Sequence, residues 1–82
     1  MEPTKYTLAV FEPGSSRSRA GSYESSTPFA AISVGDAVHL AGWHKEGPPS
    51  FLRDTEVHHY LGQSEGQVRH LVTVYTEEVF LR

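Results

Sequence analysis

The stretch from Thr55 to Tyr75 constrains this chain more than any other. Thr55-Glu56-Val57-His58-His59-Tyr60-Leu61 alternates in the period-two manner of a half-buried strand, and Val68-Arg69-His70-Leu71-Val72-Thr73-Val74-Tyr75 does so again. Between them lies a polar, glycine-bearing segment, Gly62-Gln63-Ser64-Glu65-Gly66-Gln67, which reads as the connection of a β-hairpin. Pairing Leu61 with Val68 aligns His59 with His70, Val57 with Val72 and Thr55 with Val74. Nearly all the aliphatic side chains of both arms then share one face. A slip of one residue would scatter them, so the buried face selects this register. Val79 and Leu81 follow in the C-terminal segment, where they extend the pairing or close the core.

The rest of the chain has the same short-strand character. Lys5–Glu12 alternates, with Tyr6, Leu8 and Val10 on one face, and Pro13-Gly14 ends it. Residues 13–22, rich in Ser and Gly, read as a flexible surface loop. Tyr23 and Glu24 open a short strand that Ser25-Ser26-Thr27-Pro28 interrupts. Gly35-Asp36 has the makings of a tight turn, since Gly accepts positive φ and the Asp carboxylate accepts from nearby backbone N–H groups. Ala37–Ala41 alternates after it. Residues 44–50 form a Pro/Gly loop, because Pro48 and Pro49 remove two ladder donors. The expectation is a mainly β, single domain over residues 1–82, with about five short strands closed or curled into a partly open barrel and ending in a long hairpin.

The apolar segment before Val34-Gly35-Asp36, with the strand Ala37–Ala41 after it, resembles a strand opening common in small SH3-like barrels. The resemblance spans about a dozen of the 82 residues. It implies an SH3-like or similar architecture and carries no functional residue with it.

Composition narrows the function classes. The chain has no cysteine, which removes disulfides, thiolate metal sites and cysteine nucleophiles together and points to the cytoplasm. No apolar run approaches the roughly 18–20 residues of a membrane helix, and Met1–Lys5 lacks the layout of a signal peptide. Seven basic against ten acidic side chains give a formal net charge of −3. That argues against a broad grip on nucleic acid, with Arg17, Arg19 and Arg69 beside tyrosines as the local exception. No Gly-x-Ser-x-Gly, Walker loop or dinucleotide fingerprint is present, so catalysis is not expected.

Two groups of residues offer chemistry. Five histidines are present, and histidine is the commonest metal ligand. His59 and His70, with His39 as a third donor, are the candidate ligands for a divalent metal; no other cofactor is implied. Trp43, His44 and Tyr60, with Arg17 and Arg19 of the Ser-rich loop, are the candidate ligand or partner surface. The leading expectation is a small β-barrel interaction module that recognises another protein or pairs with itself through strand edges as a homodimer. The rival is a metal- or small-ligand-binding protein using its cross-strand histidines.

Overall fold

Glu65 and Gly66 set the geometry of the longest element. Both have positive φ (52° and 81°), as the two central residues of a type I′ hairpin turn must. The turn therefore takes only two residues, flanked by the pair Ser64–Gln67. In the computed structural model, which describes residues 4–40 and 50–80, five strands form one all-β sheet. They are β1 (Lys5–Phe11), β2 (Arg19–Ser25), β3 (Ala37–Val38), β4 (Ser50–Ser64) and β5 (Gln67–Phe80). Their order is β2-β1-β5-β4-β3, and the sheet curls into an open half-barrel. The expected all-β, five-strand, partly open architecture with a long C-terminal hairpin is the one observed.

The register of that hairpin differs from the expected one by two residues. His59 faces Val72, Leu61 faces His70 and Val57 faces Val74. A shift of two preserves every side chain's face, so apolar alternation is blind to it. The tight turn decides instead. The expected six-residue connection is also absent, because Gly62, Gln63, Ser64 and Gln67 all lie in strand.

β4 carries one extra residue at Thr55, where the register jumps between Asp54–Thr76 and Glu56–Tyr75. Thr55 fills the break itself, its hydroxyl donating to the Tyr75 carbonyl at 3.1 Å. The bulge turns the proximal half of the strand over. Leu52 and Asp54 thereby share a face with Val57, which strict alternation would forbid.

Differences elsewhere are smaller. β2 begins at Arg19, so only residues 13–18 remain of the loop expected over 13–22. β3 has two residues rather than the expected strand from Ala37. Ser50 belongs to β4; the rest of the expected Pro/Gly loop, together with Ala41, Trp43 and His44, lies outside the described residues. The Gly35-Asp36 turn forms as expected. Gly35 has φ 95°, Asp36 N–H donates to Ser33 O at 3.1 Å, and Asp36 Oδ2 accepts from Ser33 N–H at 2.8 Å.

The core sits where β1 runs parallel to β5, with Leu8 against Val72 and Val10 against Val74. Val10, Val72 and Val74 are buried, and Leu8, Ile32, Val38, Leu40 and Val57 pack onto them. Ala9 and Thr73, which point the other way, are also buried, as parallel strands covered on both faces require. Phe11 stacks on Tyr75 on that second face, ring centroids 5.0 Å apart.

Candidate functional site

The hairpin is longer than the sheet that supports it. β1 reaches β5 only between Arg69 and Val74, and β3 reaches β4 only at Leu52 and Arg53. Beyond those limits the two arms have each other alone. The molecule is accordingly elongated, 50 × 22 × 22 Å, with a radius of gyration of 14.2 Å, against about 12 Å for a spherical domain of this length. From Glu56 to Ser64 the outer edge of β4 pairs with no strand among the described residues. Tyr60 is 53% exposed and Leu61 75%. An uncovered edge with apolar side chains is a template for another strand.

The same arm carries the histidine pair. His59 and His70 are diagonal neighbours across β4 and β5, and their rings meet: Nδ1 of His59 lies 2.9 Å from Nε2 of His70. Tyr6, directly beside His70 on β1, presents an edge to its ring at 5.9 Å between centroids. Both imidazoles line a cavity of about 90 Å³, roofed by the segment Pro28–Ile32 and floored by Tyr6 and Val72. His39 does not join them; its ring lies 6.4 Å from that of Phe51. Among the described residues no group of three or more His, Asp or Glu side chains is placed to hold a metal. The expected three-histidine set is thus reduced to a pair. Its third member sits just after β3, beside Phe51 near the start of β4.

The arginines and the serine loop are arranged for structure. Ser15 Oγ accepts from the N–H groups of Arg17 (3.1 Å) and Ser18 (2.9 Å), and Ser15 N–H donates to Glu12 O at 3.0 Å. The loop's amides are therefore turned inward rather than toward an anion. Arg19 lies over the Phe11 ring at 5.9 Å, a cation–π contact on the outer face. Arg17 is exposed. Arg69 pairs with Lys5 at one end of β1 and Arg19 with Phe11 at the other, so the arginines form no common patch. Tyr60 stays on the arm, near-parallel to the His58 ring at 6.4 Å.

One residue with unusual chemistry escapes the sequence reading. Asp54 is 1% exposed, and neither carboxylate oxygen has a hydrogen-bond partner. Burial, helped by the nearby Asp36 carboxylate, pushes its pKa up from 3.8 to about 6. Its backbone locks the Gly35-Asp36 turn onto β4, with Gly35 N–H donating to Asp54 O at 2.8 Å and Asp54 N–H to Asp36 O at 2.9 Å. The available signal was the change of apolar parity between Leu52 and Val57, which demands an inserted residue and brings Asp54 inside.

Comparison with family models, curated proteins and solved structures finds no match to this chain. Among the described residues no helix is long and apolar enough to cross a membrane.

Proposed function

We propose that this domain is a self-pairing interaction module, in which two copies join antiparallel through the outer edges of their β4 strands. The observation that carries this reading is the unpaired edge from Glu56 to Ser64 with Leu61 and Tyr60 exposed along it. The choice of a second copy as occupant comes from the sequence of that edge. Val57-His58-His59-Tyr60-Leu61 reads as apolar, aromatic, His, aromatic, apolar from either end. Centred on His59, Val57 of one copy opposes Leu61 of the other, and His58 opposes Tyr60. Aromatic and aliphatic cross-strand pairs of this kind contribute about 0.2–1 kcal/mol each. The pairing joins the two sheets into one and removes one exposed edge from each copy. β2, the opposite edge strand, is short and carries Ser22, Glu24 and Ser25, a composition that discourages pairing there. The absence of cysteine suits a reducing compartment, and we assign the domain to the cytoplasm.

Sedimentation velocity over a concentration series reaching about 1 mM, where association worth only ~4 kcal/mol is visible, tests the proposal. A monomer–dimer equilibrium is expected, and Leu61→Lys shifts it to monomer while leaving the fold intact. A wild-type chain that stays monomeric across the whole series overturns it.

A further inference from the structure

We infer that His59 and His70 form a two-histidine chelate for a tetragonal divalent transition metal, Cu²⁺ or Ni²⁺, at the mouth of the cavity beneath Pro28–Ile32. This site shares His59 with the β4 edge but uses its imidazole where self-pairing uses the strand's backbone, and Leu61→Lys, which removes pairing, leaves the metal site in place.

The donor set is two imidazole nitrogens and nothing else, which suits Cu, Ni and Zn and excludes the oxygen-seeking Mg²⁺ and Ca²⁺. Nδ1 of His59 and Nε2 of His70 stand 2.9 Å apart, the length of the hydrogen bond that joins them, close enough for both to reach one ion on bonds of about 2.0–2.1 Å. Two donors leave a tetragonal ion its remaining positions for water, and Cu²⁺ stands highest in affinity among divalent ions at nitrogen sites, with Ni²⁺ next to it.

Both ligands are held by the fold. His70 is half-buried and flanked by Tyr6, while His59 is fixed in the ladder opposite Val72. His59 is exposed, so an ion reaches the pair without any strand opening. The hydrogen bond that joins the rings in the absence of metal places one proton between them. Neutral imidazole carries a single proton on either nitrogen. The donating ring therefore moves that proton to its other nitrogen, and a turn of the exposed His59 ring aims both lone pairs at one ion without loss of a proton. The remaining coordination positions are left to water or a small anion, for which the cavity of about 90 Å³ beside the pair has room.

The test is a thermal melt of the purified chain with Cu²⁺ or Ni²⁺, paired with the electron paramagnetic resonance spectrum of the Cu²⁺ form. At a hundredfold excess over Kd the wild-type Tm rises by roughly 10 °C, and the spectrum carries the hyperfine pattern of two imidazole nitrogens. Both features vanish in His59→Asn and in His70→Asn and persist in His39→Asn. Should His70→Asn fail to fold, the exposed His59 position still decides the matter. No shift in the wild type, a shift that survives in His59→Asn, or one that is lost in His39→Asn overturns the assignment.

Discussion

At Leu52 and Arg53, β4 runs between β5 and the short β3, with Leu52 1% exposed on the core face. From Glu56 to Ser64 it has β5 alone, and Leu61, on the same face, is 75% exposed. The two leucines have the same chemistry and lie in one continuous strand. Their fates differ because the second face of a strand is supplied by its neighbours, and the bulge at Thr55 marks where the neighbours stop. The proximal half contributes to folding, and the distal half is left available for contact. The buried half also contains a buried carboxylate, Asp54, with no hydrogen-bond partner, so even there packing is not optimised for stability alone.

The most direct way to break this comparison is to truncate both leucines. Leu52→Ala should cost about 3 kcal/mol in urea denaturation, as buried leucines do. Leu61→Ala should stay within about 0.5 kcal/mol at a protein concentration low enough to keep the chain monomeric. Equal costs would mean that the distal half is as much a part of the core as the proximal one.

Asp54 sharpens the contrast next. Its folded pKa of about 6 lies above the ordinary 3.8, so the folded state binds the proton more tightly than the unfolded one. Stability from this group is fully present below pH 3.8 and is lost as pH rises through about 6. The whole effect is at most about 3 kcal/mol, from a shift of roughly two units at 1.36 kcal/mol each. Asp54→Asn should therefore stabilise the protein at pH 8 by about 2 kcal/mol and change little at pH 4. A variant whose stability follows the same pH curve as the wild type would show that another group carries the effect.

The smallest expected effect lies at the tip. Glu65 adopts positive φ, which costs an L-residue roughly 1 kcal/mol that Asn largely avoids. Glu65→Asn should raise stability by about 0.5–1 kcal/mol and leave the register unchanged, as read by thermal melting and by amide contacts across the hairpin. A change of register on that substitution would show that the turn does not set the pairing.

Much of the fold was legible in the sequence because apolar period and turn chemistry are local. The all-β class, the hairpin, β1 and the Gly35-Asp36 turn follow from residues that lie close together in the chain. The candidate site was legible only in part. His59 and His70 share a face in either register, so their meeting was foreseeable from parity. Their diagonal offset was not, since the apolar pattern sets them directly opposite and Glu-Gly is a weaker turn signal than Asn-Gly or Asp-Gly. His39 was grouped with them by residue type alone, and the fold sets it beside Phe51.

By itself, then, the sequence determined which side chains of each hairpin arm face the core, because backbone pleating imposes that rule on any strand. The tertiary structure alone decided three further things. The two-residue turn chose between registers that alternation cannot tell apart. The Thr55 bulge brought Leu52 and Asp54 inward, although both stand out of phase with Val57. The reach of β1 and β3 left half of β4 uncovered, because burial depends on what lies alongside a strand and not on the strand's own residues.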